Sequence, residues 1–331
     1  MSTDGTRYPD MATHPSIRSN ILRHAAALAC ALGVLAASSS ALADGNVIAP
    51  SRLKPAERAQ LVASVQAARK THPKTFEAVR AVADRAAAMD ARKRGRLAPM
   101  GPAFKSVGPQ ALLPMLELVA LQAPARGNLS ESAWIALRAG LLEAIGSHRD
   151  PLARPVLHAI LEGPESEFYV VRAAAEATGQ LGTDQDAALL VALSQTAGPR
   201  HRALLAGMGA CRRESVAREL ARVLLTHPSD DIARVAVKSL GDVGSAWAWK
   251  TPSVATHASE EAATRALSAS ALVRAFVAYP GELRQACSNA LMMVDDPSTP
   301  SLIAAAKAGA ASDTVAALDT LAARFARNPT R

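Results

Sequence analysis

An arginine set inside an apolar run recurs along this chain at nearly even steps, and no other feature limits the fold so strongly. It stands in AWIALRAGLLEAIG as Arg138, in YVVRAAAEATGQLG as Arg172, in RHRALLAGMGAC as Arg202 and in IARVAVKSLGDVG as Arg234. The steps are 34, 30 and 32 residues, and a glycine follows each arginine by 7 or 8 positions: Gly146, Gly179, Gly209 and Gly241. Self-similarity at such a period marks an array of repeated supersecondary units. A fifth copy, LRQACSNALMMV around Arg284, follows after 50 residues without the glycine. A weaker sixth, TVAALDTLAARFA from Thr314, lacks the arginine too.

Between the copies lie second amphipathic segments: LARPVLHAILEG (152–163), AALLVALSQTAG (187–198), VARELARVLLTHP (216–228) and PSLIAAAKAGA (300–310). Apolar residues recur there at three- and four-residue spacing, so each is expected to be a helix with one buried face. Asp150-Pro151 and Asp296-Pro297 mark helix starts; Gly163-Pro164, Gly198-Pro199 and His227-Pro228 mark stops. Aromatic residues make up only 3% of the chain, and alanine, leucine and valine carry the apolar faces. That composition suits closely packed short helices, and the scarcity of alternating β-rich runs argues against a sheet. The expected unit is two antiparallel helices joined by a short glycine-containing turn. Neither helix buries its stripe alone, whereas stacked pairs share one core.

The stretch VRAAAEATGQLGTDQDAALLVAL is similar to the short HEAT-like repeats of the phycobilisome-lyase type, specifically over 131–244, more loosely over 281–328 and weakly before 130. The resemblance implies an all-α fold, a right-handed α-solenoid (an armadillo-like superhelix) of about six or seven antiparallel helix pairs that presents a surface to a partner. It also implies a structural use for the ladder Arg138, Arg172, Arg202, Arg234 and Arg284, each bonding acids or carbonyls of a neighbouring unit. Glu131, Glu167 and Asp231 lie close enough in sequence to serve. The competing use is a row of cations on the concave face. Two departures stand out: Pro199, where other copies have ordinary helix residues, and the insertion between Arg234 and Arg284.

At the N-terminus Arg18 and Arg23 precede an apolar run from Ala25 to Ala37, and SSSALADG then offers small residues at Ala41 and Ala43. This is the layout of a secretory signal peptide over 1–43, cleaved between Ala43 and Asp44, with Met11 as an alternative start. The run is shorter than the roughly 20 residues that span a bilayer, so no transmembrane span is expected. The expected location is periplasmic or secreted. Two cysteines remain there, Cys211 and Cys287, in units that are not neighbours, and they are read as free, buried thiols. Residues 44–106 are read as a basic N-terminal helical pair and loop capping the stack, and 107–331 as the solenoid with an insertion at about 245–280. In the cap, Leu61, Val62 and Val65 share one stripe and Phe76, Val79 and Val82 another. RGRLAPMGPAFKSVGP reads as a loop, AWAWKTPSVATHA as irregular, and SEEAATRALSASALVRAFVAYPG as a long helix.

The catalytic and metal signatures HExxH, CxxC, GxSxG, GxxxxGKS and a dinucleotide GxGxxG are missing. His72, His148, His158, His201, His227 and His257 are scattered and read as surface or turn residues, while Glu260, Glu261, Asp295 and Asp296 suit helix starts. No catalytic residue, cofactor or metal is assigned. Residues 52–105 hold 13 basic and 4 acidic side chains, against 21 and 22 over 106–331. Arg92, Lys93, Arg94 and Arg96 then become candidates for docking an anionic envelope component, against the plainer reading of a solvated basic loop. Trp247 and Trp249, with Lys250 beside them, are candidate partner anchors in the insertion, or packing over an imperfect repeat junction. The expected function is an extracytoplasmic, non-catalytic scaffold or adaptor for a protein partner, with nucleic acid excluded by secretion. The alternatives are polyanion docking through 52–105 and a lyase-type HEAT-repeat enzyme.

Overall fold

The computed structural model describes residues 52–328 apart from 123, 124 and 197 and the side chain of residue 255. The signal peptide, its cleavage site and Met11 lie outside the described residues. Among the described residues there are helices, turns and coil and no strand. No described helix is long and apolar enough to cross a membrane.

The chain opens with α1 (Pro55–Thr71), α2 (Pro73–Asp84) and the short α3 (Ala86–Ala91). Proline begins both longer helices, where its missing N–H is no loss. Leu61 and Val65 bury one stripe, and Phe76, Val79 and Val82 the other. The segment expected to be a loop holds α4 (Met100–Lys105), whose Met100 and Phe104 are wholly buried. Gly101 and Pro102 broke the apolar period that would have revealed it. A 3-10 turn at Pro109–Ala111 leads into α5 (Leu112–Ala120), with Pro114 tolerated in its first turn.

Helix pairs follow: α6 (Glu131–Ser147) and α7 (Arg154–Glu162), α8 (Phe168–Leu181) and α9 (Asp184–Thr196), α10 (His201–Met208) and α11 (Glu214–Leu225). After α12 (Asp230–Gly244), the irregular insertion folds as the single-turn α13 (Ala246–Trp249) and a 3-10 stretch (Pro252–Glu260) before α14 (Glu261–Ala278). The last helices are α15 (Gly281–Val294), α16 (Thr299–Lys307) and α17 (Ser312–Ala326). They lie in two rows. In the first, α4, α6, α8, α10, α12 and α15 each pack on the next; α7, α9, α11, α14 and α16 do the same in the second. Between the rows Leu141, Leu142, Ile145, Leu157, Ile160 and Leu161 are almost completely buried, each stabilising the fold by about 1.5–3 kcal/mol relative to exposure.

The repeat glycines were expected to make turns, and here the structure corrects the sequence reading. Gly146, Gly179 and Gly241 lie inside helices, and Gly209 ends α10 with right-handed backbone. They are contact points between consecutive first-row helices. A Cβ would fall 2.6 Å from Ala177 Cα at Gly146, 2.8 Å from the Cys211 nitrogen at Gly179, 3.2 Å from Ser239 Cα at Gly209 and 3.0 Å from Ala290 Cβ at Gly241. Among the repeat glycines only the second of the α8 copy, Gly182 at φ +67, is a left-handed helix stop.

The second row relies on longer side chains and buried charge. Thr183 and Asp186 close a capping box at the start of α9, with Asp186 Oδ2 accepting from Thr183 N at 3.1 Å. From α7, Arg154 Nε and His158 Nε2 reach the same carboxylate at 3.0 and 2.8 Å. Solvent does not touch Asp186. Burial alone would push its carboxyl up, but hydrogen bonds from His158, Arg154 and Thr183 outweigh it and hold the group far below the usual carboxylate range. His158 is thus a half-buried partner of an acid, not the surface residue expected. Arginines also close helix ends on neighbouring units: Arg200 donates to the Leu161 and Gly163 carbonyls at 2.6 and 3.0 Å, and Arg265 to those of Val294 and Asp295 at 3.2 and 2.6 Å. A cation at the negative end of a helix is favourable. Cys211 and Cys287 are free and buried, and burial pushes both thiols up to about 12.

Candidate functional site

The arginine ladder joins neighbouring units, through partners other than those expected. Arg138 pairs with Glu165, Arg172 with Glu143 at 2.9 Å and Arg234 with Glu282 at 3.1 Å. Arg202 lies over the Phe168 ring at 4.8 Å, and Arg284 Nε donates to the Phe276 and Tyr279 carbonyls at 3.1 and 3.2 Å. Glu143, Glu165 and Glu282 therefore make the ion pairs, in place of Glu131 and Asp231, while Glu167 acts on Arg138 through its charge alone. Glu167 also caps α8, accepting from Tyr169 N at 3.1 Å.

The first row also carries a cleft of about 590 Å³. Its floor is α10, which has 8 residues where α8 has 14 and α12 has 15. Pro199 sits in a 3-10 turn, Gly198–Arg200, so α10 begins one residue before its ladder arginine, whereas α8 and α12 begin four before theirs. Ala206, Gly207, Gly209 and Ala210 line the cleft, the two glycines buried and the two alanines partly exposed. Arg172, Glu176 and Gln180 of α8 face it from one side, and Val235, Lys238 and Asp242 of α12 from the other. A smaller cleft of about 280 Å³, lined by Gly101, Ala136, Ala139, Gly140 and Glu143, shares Tyr169 and Arg172 with the larger. The two clefts, with Tyr169 and Arg172 at their junction, together form an interrupted groove along α4, α6, α8, α10 and α12.

Its electrostatics are uneven. Lys238 Nζ bonds Asp242 at 2.5 Å, while Arg149 and Arg212 donate to the Gln180 and Ala210 carbonyls at 2.9 and 3.2 Å. Burial first, and then the nearby charge of Arg149, hold the Arg212 guanidinium below its usual value, with Asp242 opposing. Burial raises the Glu143 carboxyl, with Arg172 opposing. The Nε of Arg172, the Nε of Arg212 and the Oε1 of Gln180 are buried without a hydrogen-bond partner among the described residues.

Arg96 is exposed, lines the smaller cleft and donates to the Tyr169 hydroxyl at 3.4 Å. Arg92 and Arg94 are exposed. Lys93 is held by Asp90 and Ser132 at 2.8 and 2.6 Å, which ties the loop to the start of α6. Trp247 is 61% exposed with Lys250 Nζ 4.7 Å from its ring centre, whereas Trp249 is buried and donates its indole N–H to the Val243 carbonyl at 2.9 Å. Lys93 and Trp249 thus have polar partners within the chain. Ala248, between the tryptophans, lines the larger cleft, so the loop and the insertion both border the same groove. Sequence reasoning missed the groove itself. Its signal was Pro199 together with the small pairs Ala206-Gly207 and Gly209-Ala210.

Among the described residues no three His, Cys, Asp or Glu side chains are grouped so as to hold a metal ion. Comparison with protein-family models and with curated proteins found no match to the chain.

Proposed function

We propose that the chain is a periplasmic or secreted non-catalytic scaffold, a right-handed α-solenoid of HEAT-like repeats that binds a protein partner along its first row. The observation that supports this most is the pair of adjoining clefts along the first row, lined by small residues together with charged and aromatic side chains. The unequal rows favour curvature. Helices that meet through glycine and alanine approach more closely than helices separated by leucine and ion clusters, and a two-row stack bends toward its tighter row. On this reading the groove is the inner face, with Arg96 and Trp247 beside it. A photo-cross-linking residue placed at Ala206 tests the idea in intact cells against one at Arg218, whose side chain is 65% exposed on α11. A partner captured from 206 and not from 218 is expected; equal capture from both, or an unprocessed chain in the cytoplasm, would end the proposal.

A second reading, docking to an anionic envelope component, draws on one observation: of the basic residues from Arg52 to Lys105, only Lys93 is not exposed. Retention on heparin or anionic vesicles should be salt-sensitive and fall when Arg92, Arg94 and Arg96 are replaced by alanine. Unchanged, salt-insensitive retention removes this reading.

A further inference from the structure

We infer that the larger cleft takes an acidic stretch of polypeptide, with one carboxylate seated between Arg149 and Arg212. The inference rests on the scaffold reading above and supplies the chemistry of its partner. Arg149 holds a left-handed backbone at φ +53, a conformation that costs a non-glycine residue about 1–2 kcal/mol and that glycine usually supplies after a helix. What the arginine gains there is a side chain over the end of α8, at the cleft wall. Arg212 approaches from the end of α10, so two like charges face the same space, an arrangement that an anion between them relieves.

Arg149, Arg212 and Lys238 line the cleft with guanidinium and ammonium donors, from which the carboxylates of a peptide can accept. The small side chains of Ala206 and Ala210, both partly exposed in the cleft, let a second main chain lie close. Glu176 and Asp242 line the cleft as well, so a uniformly anionic polymer is repelled where a peptide of mixed sequence is not.

Fluorescence anisotropy with the full folded chain provides the test, using a labelled peptide of alternating glutamate and alanine and a twin carrying glutamine in place of glutamate. The glutamate peptide should bind about tenfold tighter than its twin, and Arg149→Gln with Arg212→Gln should remove about that factor in a protein that remains folded. If that double variant does melt lower, Lys238→Glu decides, because its side chain is 75% exposed and reversing its charge should weaken the glutamate peptide by about threefold. Arg92→Gln with Arg94→Gln should change nothing. The inference is overturned if the glutamate peptide does not bind, if its binding ignores the cleft variants, or if the Arg92 and Arg94 changes abolish it. Equal binding of both peptides, weakened for both by the cleft variants, sinks the acidic partner and leaves the groove reading standing.

Discussion

Where α8 meets α10, a Cβ on Gly207 would fall 2.5 Å from both Ala175 Cβ and the Arg172 carbonyl oxygen. Where α7 meets α9, Asp186 is ringed by Arg154, His158 and Thr183. The first junction works by absence of side chain and tolerates no added atom, since closely packed interiors have no room to absorb one. The second works by charge that has been taken out of water and fully partnered, and it tolerates no lost partner. The rows also differ in their response to acid. In the second row the Asp186, Glu219 and Glu260 carboxyls all sit below their usual values because hydrogen-bond donors outweigh burial; Glu143, in the first row, sits above its value because burial wins.

Substitutions can break this contrast at either end. The largest effect is expected from Asp186→Ala, which strands Arg154 and His158 and opens the capping box, costing about 4 kcal/mol in urea unfolding. Gly207→Val should cost about 3 kcal/mol by forcing α8 and α10 apart, and should also narrow the cleft. Gly207→Ala as harmless as a surface change would show that the first row is not held by close contact.

Acid then separates the rows without mutation. A carboxyl with a depressed folded value contributes stability that is complete above about pH 4 and is lost as the pH falls toward the folded value. The chain should therefore lose more stability between pH 5 and pH 3 than Asp186→Asn does, while Glu143, raised in the fold, acts in the opposite direction. Parallel curves for the two proteins would remove Asp186 from the account. Arg172→Ala is expected to cost no more than about 1 kcal/mol, because Arg172 and Glu143 are 34% and 29% exposed and solvent screens the pair. A larger fall in melting temperature would move the ladder toward a stronger structural role; weaker peptide binding in a stable protein would place Arg172 in the groove's work.

The repeat and most of its helices were legible because buried stripes and ladder arginines recur at helical and unit periods. The second-row segments read at 152–163, 187–198 and 216–228 became α7, α9 and α11 with small shifts at their ends. The purpose of the glycines was not legible. A Gly in a helical pattern looks the same in sequence whether it ends the helix, as Gly182 does, or seats the next one, as Gly179 does. Ladder partners were hidden for a related reason: Arg138 finds Glu165 and Arg234 finds Glu282, 27 and 48 residues away, and only the stacking of units decides which acid arrives. Trp247 and Trp249 are adjacent to one alanine and identical in type, yet the single turn α13 points one outward and buries the other.

The shortness of α10 has a dynamic consequence. A helix of 8 residues forms only about four internal backbone bonds, since its first four N–H groups find no partner within it. Its amides should exchange with solvent sooner than those of α8 and α12 on either side, by an opening smaller than global unfolding. That opening would part the row at its middle and flatten the floor of the cleft. A segment lying along the floor would splint the two halves, so bound peptide should be readable as slowed exchange at Leu205 and Met208, buried residues of α10.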